Sequence, residues 1–242
     1  MISDKDTLKN ASSNALKMMK DSGFEISDRL EVVLDPNLTF MGYSTERGNG
    51  HVIVVSGAAL KSGLVEGLLI HEMSHVYSTN TNHPSHNHDL LNRVVHVIIH
   101  KNRITEDYQL GIVHQAINHI QDLYADDIAF RVFKQTMSFP TDQLFNFFLS
   151  RIKDKPIRSK NVKARWLNAG MMLNNCFAVS NMMRHNIKDT DNRAESTIER
   201  FLSQTDNSIK NGFTHFENFM VNLKENTTEK EFALARASAW KT

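Results

Sequence analysis

Two histidines four residues apart, with a glutamate directly after the first, stand in "LLIHEMSHVYSTN" (68–80): His71, Glu72 and His75. On a helix, residues at this spacing share one face, one turn above the other. His71 and His75 can then direct two imidazole nitrogens at one tetrahedral zinc ion. Glu72 leaves the helix about 100° around the axis. That puts it beside the metal rather than on it, where it can take a proton from a water that the metal activates. Histidine is abundant in this region, nine of the 12 lying from His71 to His119, which makes an accidental match easier. The flanking sequence favours the chemistry: the apolar run "LVEGLLI" precedes the motif, as a buried active-site helix requires.

Zinc needs a third protein ligand. The HExxHxxGxxH continuation of the metzincins is absent, because Ser78 and Thr81 hold its glycine and third-histidine positions. A glutamate about two dozen residues on, as in thermolysin-like enzymes, is also absent, since none occurs between Glu72 and Glu106. In "NHIQDLYADDIAF" (118–130), Asp122, Ala125, Asp126 and Ala129 fall at i, i+3, i+4 and i+7. Two carboxylates on one face of an otherwise apolar helix are costly to bury without a cation or hydrogen-bond donors. The alanines between them allow close approach to another helix. Asp122 is therefore the candidate third ligand, and His119, on a neighbouring face, is its rival. "HPSHNHD" (83–89) reads as a polar loop with Asp89 opening the next helix. His96, His100 and His114 read as packing or rim residues, and Arg184 and His185 as a basic helix end.

The elements that must position these groups follow from periodicity. An amphipathic helix opens the chain, and "LEVVLD" (30–35), "LTFMGYST" (38–45) and "HVIVVSG" (51–57) read as strands. Pro36-Asn37 and Gly48-Asn49-Gly50 punctuate them. From Ala58 the pattern is helical: one segment through "LKSGLVEGLLIHEMSHVYS", then helices near 89–101, 105–136, from Pro140, 161–187, 190–205 and 207–224, with "TEKEFALARASAW" as a last one. The expected fold is α+β, a small N-terminal mixed sheet followed by a mostly helical remainder. A single domain over 1–242 is expected, with helix and sheet in 1–60, the metal-site helices in 61–136 and a helical subdomain in 137–242.

The 28 basic and 27 acidic residues nearly cancel, which argues against a nucleic-acid or membrane-surface partner. The lone Cys176 permits no intrachain disulfide, and no window is long and apolar enough for a membrane span. A cytoplasmic protein is expected.

The stretch "LTFMGYSTERGNGHVIVVSGAALKSGLVEGLLIHEMSHVY" resembles the core of the gluzincin metallopeptidases related to the CAAX prenyl proteases and HtpX. There an edge strand, a glycine turn, a second strand and the HExxH helix follow in the same order. "DLYAD" (122–126) is similar to the family's Glu-x-x-Ala-Asp motif, with aspartate for glutamate. The family's membrane-spanning helices are missing, so the likeness is to its small soluble members, the minigluzincins. The resemblance implies a zincin-like fold with His71, His75 and Asp122 binding Zn2+ and Glu72 as general base. It implies Asp126 as the carboxylate that orients a ligand histidine, and strand 38–45 as the edge on which an extended peptide pairs. The expected function is a zinc-dependent peptidase acting on a peptide or unfolded protein segment. The alternative is a non-catalytic zincin-fold protein that binds metal or a partner.

Overall fold

The structure, a computed structural model, describes residues 3–137 and 139–232. It divides into two compact units. The first takes the described residues up to His86 together with those from Ala125 to Phe139. The second takes Asn87–Tyr124 and the described residues from Pro140 onward. The expected α+β architecture, a small mixed sheet followed by mostly helices, is what the chain forms.

In the first unit, α1 (Asp4–Asp21) starts at Ser3, whose hydroxyl accepts the Asp6 N–H at 3.1 Å. Its buried residues, Leu8, Ala11, Ala15 and Met19, repeat at three and four, the period of one helical face. Three strands follow: β1 (Arg29–Asp35), β2 (Gly42–Arg47) and β3 (Gly50–Ser56), in the order β1-β3-β2. β3 runs parallel to β1 and antiparallel to β2. As the central strand it is buried along its whole length, which explains why "HVIVVS" reads as a continuous run instead of an alternating one. Gly48, at φ +64°, opens the two-residue loop of the β2–β3 hairpin.

Two boundaries differ from those expected. β2 begins at Gly42, not at 38, because its partner runs out. Gly42 pairs with Val55, the Met41 carbonyl accepts the Ser56 N–H at 3.0 Å, and after Ser56 the β3 chain turns into a helix, leaving 38–40 without a ladder. The helical run after Ala58 is also two helices, α2 (Gly57–Lys61) and α3 (Val65–Asn80). Gly63, at φ +72°, makes the break. The face of α3 that carries positions 67, 68, 71, 75 and 78, continuing from Leu64 before it, is its more open side, half-buried except for Ser78, while Leu69, Ile70, Met73 and Val76 are sealed in the core. Asn14 of α1 donates to Glu66 at 2.9 Å, Phe24 packs edge-on against Tyr77, and His51 of β3 bonds Asn80 at 2.9 Å. These contacts hold α3 at both ends.

The second unit contains α4 (His88–Asn102), α6 (Thr141–Arg151), α7 (Val162–Arg184), α8 (Arg193–Ser203) and α9 (Asn207–Val221). Leu90, Leu91, Ile98, Val113, Ile117, Ile120, Tyr124 and Phe232 form one of its hydrophobic clusters. The buried Asn175 amide donates to the Lys153 carbonyl at 2.9 Å and accepts its N–H at 2.8 Å, fastening the extended segment after α6. Arg184 donates to the carbonyls of Met220, Val221 and Leu223, closing the end of α9. α5 (Asp107–Thr136) is one continuous helix of 30 residues that serves both units, its share changing between Tyr124 and Ala125. Thr228 and Glu231 exchange bonds to each other's N–H, a capping box at the start of "TEKEFALARASAW"; the remainder of that expected helix lies outside the described residues. Among the described residues no helix is long and apolar enough to cross a membrane.

Candidate metal centre

His71 and His75 leave α3 from its half-buried side, their rings edge to face with centroids 4.8 Å apart. The two Nε2 atoms face each other at 3.1 Å. Each Nδ1 is already engaged: that of His71 lies 2.7 Å from Asp126 Oδ1, and that of His75 lies 2.7 Å from His86 Nε2. A carboxylate accepts only, so His71 Nδ1 carries the proton and donates it. In the neutral ring, Nε2 is then a bare lone pair. A second unprotonated Nε2 at this distance would repel it unless a proton or a cation lay between them. Zinc–nitrogen bonds of about 2.0–2.1 Å in tetrahedral geometry place two ligand nitrogens roughly 3.3 Å apart, so the histidine pair needs almost no movement to share an ion.

Asp122 stands one turn before Asp126 on the same helix, α5. His71, His75 and Asp122 each offer a ligand atom, and these atoms lie within 4.8 Å of one another; all three side chains are half-buried. Two imidazole nitrogens and one carboxylate oxygen make a donor set that suits zinc, leaving a coordination position for water or substrate. Ala125 and Ala129, on the same face of α5 as Asp122 and Asp126, are both buried. Glu72 is buried and lies outside the ligand cluster, around the helix from His71.

His119 is also outside the cluster. Its Nε2 bonds Asn174 Oδ1 at 2.9 Å, its ring stacks on Phe177 at 4.6 Å, and its Nδ1 lies 3.9 Å from Asp122. Arg184 is committed to the end of α9. His96, His100 and His114 are exposed on their helices.

The loop "HPSHNHD" is not simply polar. Residues Pro84–His86 form a 3₁₀ turn, and Ser85 and His86 are buried. His88, by contrast, points outward at the start of α4. His86 is a site residue that the sequence reading passed over. Its signal was the Pro84 turn start followed by a helix N-cap, Asn87, which together pin the histidine between them. Burial lowers the pKa of His83 below its ordinary 6.5, against the opposing pull of Asp127.

A family model matches residues 14–240, a span that contains every residue of the cluster and its hydrogen-bond partners. The chain belongs to DUF5781, a family of unknown function. Comparison with curated proteins gives no match, and comparison with solved structures gives none either. Membership in DUF5781 thus carries no chemistry of its own, and a functional reading rests on the residues.

Proposed function

We propose that this member of DUF5781 is a zinc-dependent peptidase of gluzincin type. The facing Nε2 atoms of His71 and His75, each with its other nitrogen hydrogen-bonded, support this above all else. The order of elements, a small sheet with β2 at its edge followed by the HExxH helix, fits a zincin-like core. His71, His75 and Asp122 would hold the ion. Zinc, when bound, supplies Lewis-acid chemistry that polarises a carbonyl and lowers the pKa of water. Glu72 takes a proton from the attacking water and returns it to the leaving amine. Asp126 keeps the His71 ring oriented and its proton on Nδ1. The substrate is a peptide or unfolded segment, and β2, paired only with β3 among the described residues, offers a main-chain edge for it.

A non-catalytic metal-binding protein would keep the same three ligands, and Glu72 distinguishes it from an enzyme. Zinc per chain should be measured on dialysed wild type, Asp122→Ala and Glu72→Gln, with hydrolysis of a fluorogenic peptide library alongside. The wild type should hold about one zinc and Asp122→Ala far less. Glu72→Gln should keep its zinc while hydrolysis falls on the order of 10²- to 10⁴-fold. Zinc without hydrolysis in the wild type would establish the scaffold reading. A wild type that takes no zinc after supplementation would end both.

A further inference from the structure

Behind His75 runs a chain of short hydrogen bonds that leads away from the ligand cluster. His75 Nδ1 lies 2.7 Å from His86 Nε2, His86 Nδ1 lies 2.7 Å from Ser85 Oγ, and Ser85 Oγ lies 2.7 Å from His83 Nδ1. Imidazole nitrogens and hydroxyls can each donate or accept, so the three links taken alone have no direction. A fourth contact supplies one. The backbone N–H of Ser85 donates to His83 Nδ1 at 3.3 Å. A peptide N–H cannot reverse, so His83 Nδ1 is an acceptor and carries no proton.

The remaining roles then follow in sequence. Ser85 Oγ–H donates to His83 Nδ1, and its oxygen accepts from His86 Nδ1–H. His86 Nε2 is therefore unprotonated and accepts from His75 Nδ1–H. The His75 proton is held on Nδ1, and Nε2 is left as a lone pair toward His71. We propose that His83, Ser85 and His86 form a relay whose role is to position His75 by holding it in the tautomer that presents an unprotonated Nε2 to the metal.

The relay is built into the fold. Ser85 is fully buried and His86 nearly so, and the turn is tied back to α3 by the His83 N–H donating to the Ser78 carbonyl at 2.8 Å. Burial also keeps His83 neutral, as an acceptor at Nδ1 must be at neutral pH. The two ligand histidines are thus oriented by different partners: His71 by the Asp126 carboxylate, His75 by the imidazole of His86.

This inference rests on the zinc reading, and its test separates the two. The tautomer of His75 is read first in the metal-free chain, from long-range proton–nitrogen NMR correlations of the imidazole rings. Zinc affinity follows, by competition with a chromophoric chelator, for wild type, Ser85→Ala, His86→Phe and His86→Gln. The wild type should place the His75 proton on Nδ1, and Ser85→Ala should give a mixture. His86→Phe, which fills the space without an acceptor, and Ser85→Ala should each lose about 10- to 100-fold in zinc affinity. His86→Gln, whose carbonyl can accept from His75, should recover most of it. A His75 proton on Nε2 in the wild type, or zinc bound equally well by all four chains, would overturn the relay and leave the zinc site standing. A wild type without zinc would overturn both.

Discussion

The imidazole nitrogens of the proposed ligand pair divide their work by position. Nδ1 of His71 and of His75 point outward to partners, and their Nε2 atoms turn inward to each other. The same economy makes His83 a source of acid sensitivity. Its pKa is lowered by burial, so between the folded value and 6.5 the unfolded chain binds more protons than the folded one. Stability on this account is level above pH 6.5 and is lost as pH falls below it. In chelator-treated protein, the melting temperature should therefore drop less steeply between pH 7 and pH 5 in His83→Asn, whose side-chain oxygen can stand in for Nδ1, than in the wild type. Equal slopes in the two chains would remove His83 from the account.

Among the elements, α3 is the one that everything else in the first unit must fit. β2 comes close against it at Gly42, where an added Cβ would lie 2.7 Å from the Val54 carbonyl oxygen and 3.2 Å from Leu68. Gly42→Ala should cost about 1–3 kcal/mol, as overpacking does, read from urea denaturation. Gly111→Ala, in α5 with open space around its Cβ position, should instead gain roughly 0.5–1 kcal/mol from helix propensity. A neutral Gly42→Ala would mean that the strand and α3 have more slack than their spacing implies. Helix types and approximate extents were legible, since "TEDYQLGIVHQAINHIQDLYADDIAFRVFKQT" and its neighbours carry a local period. The Gly63 break and the late start of β2 were not, because one depends on a left-handed residue inside a helical pattern and the other on where the partner strand turns away.

At the scale of the whole molecule, the proposed ligands come from distant parts of the chain; His71 and Asp126, now hydrogen-bonded, are 55 residues apart in sequence. An unfolded chain cannot hold them together, so zinc should bind the native state almost exclusively. Linkage then predicts about 2.7 kcal/mol of added stability at a free zinc concentration 100 times the dissociation constant. Calorimetry with zinc and then with excess chelator should show a melting temperature several degrees lower in the chelator, and no such difference for Asp122→Ala. The same drop in that variant would place the zinc elsewhere. Burial also pushes the Cys176 thiol well above its ordinary pKa, so this cysteine offers no competing soft ligand. The sequence by itself determined that His71 and His75 share a helix face and that Asp122 and Asp126 share another, because spacing of three and four is a local property of the helix. It also determined the α+β order of elements. Only the tertiary structure decided that Asp126 meets His71, that His86 meets His75, and that both Nε2 atoms turn toward each other. The first two are contacts between segments whose meeting depends on how the chain packs, and the third follows from the partners those contacts give each Nδ1, so no local period encodes them.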